Sequence, residues 1–283
     1  MTHLSSQKAL VLGATGQQGG AVAKQLLAKG WHVRVLVRDS NKPAARLLHN
    51  LGAELVAGDL EHPTTITTAM QGMHAVFSVQ GIHADPEQEV RQGLLVATAA
   101  RETGIAHLVY SSAFGAQKQT GLPGFEAKRQ IEQAIRTLDL PATILRPVMF
   151  MENFRLFAQR SNEAITLPAL AEPDISIQMI AVHDIAYFAT LALQDPTTYI
   201  GQTLNIAGDE QTLPQIADLF QNIYHRPVRY QTEPADQHLE GARKINALLF
   251  GKEGERVNLA QLRHNHPQLL SLEAWLQQAH LPL

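Results

Sequence analysis

At 283 residues, 45% hydrophobic and 17% charged, the chain is long enough for one large or two modest domains around a sizeable core. Its 23 Lys and Arg against 26 Asp and Glu leave a net charge of −3 and no basic footprint for direct nucleic-acid binding. With no cysteine, disulfides, thiolate catalysis, thiol redox sensing and cysteine-ligated metal are excluded. A first strand by about Lys8 leaves no room for a signal peptide, and no apolar run approaches the roughly 18 residues of a membrane helix. The expectation is a cytoplasmic chain that uses neither membrane nor metal.

In chain order, Ala9 to Leu12 reads as a strand that opens into Gly13, Gly16 and Gly19 at three-residue spacing. A helical pattern follows at once, with Val22 and Leu26, then Ala23 and Leu27, four apart, and Gly30 as its stop. Strand, glycine turn and helix form the phosphate cradle of a dinucleotide-binding βαβ unit. Gly13 allows the tight turn, Gly16 lets backbone approach a pyrophosphate, and Gly19 lets the helix lie close to its strand. Thr15, Gln17 and Gln18 sit between these glycines, where the helix start offers N–H groups and a positive dipole end. The spacing departs from G-x-G-x-x-G, so position and flanks carry the reading more than the motif does.

The second strand, His32 to Val37, ends at Arg38-Asp39, and a helix follows through Ala44, Ala45, Leu47 and Leu48. A short strand from Glu54 to Ala57 ends in Gly58-Asp59-Leu60, and a helix runs from about Thr64 to Gln71. Strand four, Ala75 to Val79, leads to Gln80-Gly81 and a long helix carrying Val90, Leu94 and Ala97. His107 to Ser111 is strand five, Phe125 to Thr137 a helix, and Ala142 to Leu145 strand six. This alternation demands right-handed crossovers: an α/β, Rossmann-type, doubly wound parallel sheet whose ligands bind beyond the carboxyl ends of the strands.

The remainder reads differently. Phe150 to Gln159 resembles a short helix, Leu167 to Pro173 a loop, Ile175 to Val182 a strand, and Thr203 to Ile206 another. Asp184 is placed to cap a helix carrying Ile185, Phe188 and Leu191. Helical segments dominate from Thr212, notably Pro214 to Tyr224 and Leu272 to Gln278. The expected division is a dinucleotide-binding domain over 1–152, with returning segments near 175–206, and a smaller, mostly helical substrate or lid region over 207–283 to which 153–174 contribute.

An NAD-binding unit places an acid about 20 residues past the glycines to bond the ribose 2′-hydroxyl. Here that station is Arg38, whose guanidinium suits a 2′-phosphate, with Lys42 one helical turn further on; this favours NADP(H). Asp39, one residue later, keeps a ribose contact open. The tyrosine–lysine pair of short-chain dehydrogenases is absent. Four residues after Tyr110, Tyr187, Tyr199, Tyr224 and Tyr230 stand Phe114, Leu191, Thr203, Val228 and Pro234. Lys128 is preceded at that spacing by Gly124. It is expected in the first turn of its helix, facing the cofactor, where a cation opposes the dipole unless a ribose hydroxyl or phosphate offsets it; a surface lysine is the alternative. Ser111 and Ser112 are either carbonyl-binding or turn-forming. His264 and His266 are expected on the surface, and His183-Asp184 as a helix cap.

The glycine loop, Val35 to Asp39, Gly58-Asp59-Leu60 and above all Leu145-Arg146-Pro147-Val148-Met149-Phe150-Met151-Glu152-Asn153-Phe154 resemble the NmrA-like family of atypical short-chain dehydrogenase relatives. The tail from Leu262-Arg263 through Pro267 to Leu270-Ser271-Leu272-Glu273-Ala274-Trp275-Leu276 is similar to that family too. The resemblance implies that Asp59 and Leu60 lie near the adenine and Val79, Gln80 and Gly81 along the adenosine. It also implies that Pro147 lies beside the nicotinamide, with Phe150 and Asn153 in a substrate pocket; core packing is the alternative for Phe150 and Phe154. Such families hold quinone-reductase-like enzymes and NADP-sensing regulators. Two readings follow: an NADPH-dependent reductase of a quinone-like or small carbonyl substrate in which Lys128 acts, or an NADP(H) sensor acting through a protein partner, either of them alone or as a homodimer.

Overall fold

The computed structural model describes residues 7–81, 85–161, 163–231, 237–251 and 254–281. The first half alternates strand and helix: β1 (Lys8–Val11), α1 (Gln17–Ala28), β2 (His32–Val37), α2 (Pro43–Asn50), β3 (Glu54–Ala57), α3 (Pro63–Met70), β4 (Ala75–Ser78), α4 (Pro86–Thr103), β5 (His107–Ser111), α5 (Pro123–Thr137) and β6 (Ala142–Pro147). Helices α2 to α5 each start on a proline, whose fixed φ suits the first turn and whose missing N–H costs nothing there. Next come β7 (Met149–Phe150), a 3₁₀ turn over Met151–Asn153, α6 (Phe154–Phe157), β8 (Gln159–Arg160), β9 (Ile165–Pro168), β10 (Ile177–Ile180), α7 (Val182–Gln194), α8 (Pro196–Tyr199) and β11 (Thr203–Ile206). The chain ends through β12 (Asp209–Gln211), α9 (Leu213–Tyr224), β13 (Val228–Gln231), α10 (Gln237–Phe250), α11 (Leu259–Asn265) and α12 (Leu272–Ala279). Two compact units result: the chain up to Arg146 with Ile185–Asn205, and Pro147–Asp184 with the chain from Ile206 onward.

The first unit is built on a seven-stranded parallel sheet in the order β11-β6-β5-β4-β1-β2-β3. Strand β1 is paired on both sides, Val11 with Val35 of β2 and with Phe77 of β4. The chain fills one side through β3 and then crosses back to β4, so β1 and β4 flank the switch point where a ligand crevice opens. Beneath one face, Ile66, Met70, Val96, Leu108, Ile131 and Ile144 form a single apolar cluster.

His107, at the start of β5, is buried. The Thr143 hydroxyl donates to the Tyr199 carbonyl at 2.7 Å, so it can only accept from His107 Nε2, 2.8 Å away. That fixes the Nε2–H tautomer and leaves Nδ1 buried without a partner among the described residues. Burial alone pushes the imidazole down to about 4. As pH falls from 6.5, the unfolded chain binds a proton that the folded chain refuses. Stability is therefore full above that pH and drops by about 3 kcal/mol on the way to pH 4. Urea unfolding across this window should show the slope, and His107→Gln should flatten it. An equal slope in both proteins would assign the acid lability elsewhere. The comparison also isolates His107 from His183, which Asp184 shifts upward.

The second unit holds two three-stranded sheets, β12-β10-β7 and β13-β9-β8, while α9, α10, α11 and α12 make the chain from 207 onward mostly helical, as expected. The segment expected as a loop from Leu167 begins inside β9, which pairs in parallel with β13. Asp184 lies inside the first turn of α7 and does not cap it. Its buried carboxylate stands 3.0 Å from His266 Nε2 and accepts the Leu270 N–H at 3.0 Å. His266 is thus buried, contrary to the surface position expected of it.

Candidate nucleotide cradle

The loop between β1 and α1 shows why each glycine is needed. Gly13 has φ +68°, and a Cβ there would lie 2.7 Å from the Val79 carbonyl oxygen. A Cβ on Gly19 would lie 2.4 Å from the Gly13 oxygen, so helix and turn touch backbone to backbone. Gly16 is exposed and extended, and its imagined Cβ meets only the Gly13 oxygen at 3.3 Å; its small size leaves the outer face of the loop open. No side chain caps α1 and its first turn carries no acid, so its N–H groups and dipole stay available to an anion. Thr15 and Gln17 are exposed beside Gly16, whereas Gln18 Oε1 accepts the Ser111 hydroxyl at 2.6 Å and ties the loop to the end of β5.

The neighbouring loops present the remaining expected residues of this unit. Arg38 follows β2 and is exposed. Asp39 is turned into its own loop, accepting the Asn41 N–H at 2.8 Å, and Lys42 stands exposed just before α2. Asp59 accepts the Glu61 N–H at 3.0 Å, and Leu60 packs half-buried against the core. Val79 is the wall that Gly13 touches, and Gly81 is exposed beyond it. Gln80 is buried. Its amide donates to the Ser78 hydroxyl at 3.0 Å, and its Oε1 has no partner among the described residues.

Helix α5 starts two residues earlier than expected, which puts Lys128 in its second turn. There its ammonium is 2.8 Å from Glu89 Oε1 of α4, with side chains 20% and 10% exposed. Glu89 went unrecognised in the sequence, because it lies 39 residues away on another helix. Nearby, buried Glu132 accepts from the Ser112 hydroxyl (2.6 Å), Arg146 Nε (2.8 Å) and Nη2 (2.5 Å), and Arg136 (2.9 Å). Burial alone would raise its carboxyl, but these hydrogen bonds and the Arg146 charge outweigh it and hold it below the usual range. Both Ser111 and Ser112 are therefore occupied. The Tyr110 hydroxyl is buried and unpartnered among the described residues; burial, with Glu89 and Glu132, keeps it neutral by raising it well above its ordinary value.

In the second unit, Pro147 opens the segment and is buried, Phe150 is half-buried on β7 opposite Ile180, and Asn153 closes the 3₁₀ turn without capping α6. Phe154 is core: it is 1% exposed and packs edge-on against Phe220 at 5.3 Å. No group of residues able to hold a metal ion occurs among the described residues, and no helix there is long and apolar enough to cross a membrane.

The family model described as the NmrA-like family matches residues 5–250. The chain belongs to the NmrA-like family. The NAD(P)H azoreductase of Xenophilus azovorans is 31% identical over 238 residues, 82% of this chain and 80% of that protein. The fold is shared with the negative transcriptional regulator NmrA, solved in complex with NADP (TM-score 0.81, 19% identity, 98% and 96% of the two chains). It is shared also with the Citrobacter sp. triphenylmethane reductase complexed with NADP(H) (TM-score 0.79, 22% identity, 96% and 99%).

Two stretches that mark this NmrA-like chain turn out to brace it. Arg146 of the Leu-Arg-Pro run fastens β6 to Glu132 of α5. Glu152 accepts from the Val182 N–H (3.0 Å) and from Trp275 Nε1 (3.1 Å), so the Met-Glu-Asn and Glu-Ala-Trp runs meet directly. Arg155 adds a bond to the Ala279 carbonyl and lies 5.7 Å over the Trp275 ring.

Proposed function

We propose that this NmrA-like protein is an NADP(H)-dependent reductase whose acceptor is a quinone or a similar flat, conjugated compound. The observation that carries the reading is the uncapped start of α1 behind Gly13, Gly16 and Gly19, with the Arg38 guanidinium exposed at the end of β2. The open helix start and the glycine backbone suit a pyrophosphate. Arg38 and Lys42 suit a 2′-phosphate, and Asp39 accepts a hydrogen bond within its own turn. Gln80 Oε1 is a buried acceptor in want of a donor, which an adenosine edge or hydroxyl would supply. Bound NADPH supplies the hydride. Lys128 holds the nicotinamide ribose, offering the donors that its bond to Glu89 leaves free.

The chain's residues also bear on the acceptor. Reducing an ordinary ketone builds alkoxide charge, and a positioned acid neutralising it contributes roughly 10²–10⁴-fold. Gly124 stands where that tyrosine belongs, Tyr110 is buried, and both serines are engaged. A quinone makes no such demand: hydride addition gives a delocalised phenolate that water protonates afterwards. Names among the relatives point the same way, toward azo compounds and triphenylmethane dyes.

Steady-state rates with a quinone and with a simple aldehyde, each with wild type and Lys128→Ala, test the acceptor. The quinone should be faster by at least 100-fold. A faster aldehyde would reveal a proton donor that this mechanism lacks. If neither is reduced although NADPH binds, the protein is a nucleotide sensor, a reading that NmrA's role as a regulator favours.

A further inference from the structure

We infer that Glu89 is a positioning residue for Lys128, set at the right distance by the close crossing of α4 and α5 at Gly93. The inference rests on the reading above that Lys128 meets the nucleotide. A Cβ on Gly93 would lie 2.4 Å from Ile131 Cδ1 and 2.5 Å from Cγ1, so the Ile131 side chain fills the space that a side chain at 93 would take and lies directly against α4. Glu89 lies four residues before Gly93, and Lys128 three before Ile131. One turn toward each helix start, on the same facing surfaces, the two side chains therefore meet. Their Nζ–Oε1 distance is 2.8 Å.

A lysine stem has four rotatable carbons, and fixing it on binding would cost rotamer entropy. Glu89 removes that cost in advance. Its carboxylate is buried, and a buried carboxylate holds its cation because separation would leave the charge unpaired. Neighbouring groups do not compete for Lys128: Glu132 is occupied by Arg146, Ser112 and Arg136, and Tyr110 stays neutral. Of the three ammonium donors, one goes to Glu89 and the others keep a fixed direction for a ribose hydroxyl. Glu89 itself touches no substrate; it acts through the lysine.

The test compares wild type, Lys128→Met, Glu89→Gln, Glu89→Asp and the Glu89→Gln/Lys128→Met double variant. Four quantities are read: the NADPH dissociation constant by fluorescence titration, kcat and the KM for NADPH with a quinone as acceptor, and the melting temperature. Lys128→Met should weaken NADPH about 10-fold, and Glu89→Gln about 3- to 10-fold, as a rise in KM more than a fall in kcat. The double variant should bind no worse than Lys128→Met alone, since Glu89 acts only through that side chain. Glu89→Asp keeps the charge but draws it back by one methylene; it should melt close to wild type and still bind NADPH about threefold more weakly. A purely structural Glu89 would lower the melting temperature of Glu89→Gln without moving NADPH affinity in either Glu89 variant. Wild-type affinity in both, beside a weakened Lys128→Met, overturns the inference and leaves the role of Lys128 standing. Wild-type affinity and rate in Lys128→Met itself overturn both.

Discussion

Arg146→Met is expected to lower the unfolding free energy by about 3–5 kcal/mol, measured by urea denaturation at pH 7. Arg146 gives Glu132 two of its four hydrogen bonds, both partners are buried, and the remaining donors are Ser112 and the half-exposed Arg136. Removing the guanidinium strands a carboxylate that is 1% exposed. The pair itself is not expected to be that favourable, because both charges gave up water to form it. Glu132→Leu combined with Arg146→Met should therefore recover most of the loss. A loss under about 1 kcal/mol in the single variant would mean that the pair does not fasten β6 to α5.

The glycine loop predicts a contrast between two substitutions of one kind. Gly19→Val forces a side chain onto the Gly13 carbonyl, which backbone motion alone can relieve, so both stability and nucleotide binding should fall. Gly16→Val asks the Gly13 oxygen to give by only a few tenths of an ångström, but occupies the face a pyrophosphate must approach. It should keep its melting temperature within a few degrees and lose at least 100-fold in NADPH affinity, about 3 kcal/mol. Circular dichroism melting and nucleotide titration of both variants decide it. Normal binding by Gly16→Val would leave the loop a turn and nothing more.

Much of the first unit was legible because its signals are local. Apolar strands such as Ala9–Leu12 and Ala75–Ser78 are buried on both faces, and prolines and glycines punctuate the helices between them. The sheets of the second unit were harder. Strand β9 ends on Pro168 and finds its partner β13 about 60 residues later, so a turn-forming residue masked a strand whose pairing has no local trace. Asp184 looked like a helix cap because its residue type and place fit one, whereas its partners His266 and Leu270 are more than 80 residues away. The glycine cradle could be read because strand, turn and helix are consecutive. The surroundings of Lys128 could not, although a pairing of Glu89/Gly93 with Lys128/Ile131 on successive helices of a parallel sheet is the kind of signal that would have found them.

The central claim is that this cradle holds NADP(H), with Arg38 on the 2′-phosphate. Calorimetric titration of wild type and Arg38→Asp with NADPH and NADH tests it most directly. Wild type should bind NADPH at one site per chain, about 10- to 100-fold more tightly than NADH, as charge-assisted bonds of roughly 1.5–3 kcal/mol imply. Arg38→Asp should erase or reverse that preference while leaving NADH binding intact. Equal affinity of wild type for the two nucleotides, or binding of neither, would contradict it.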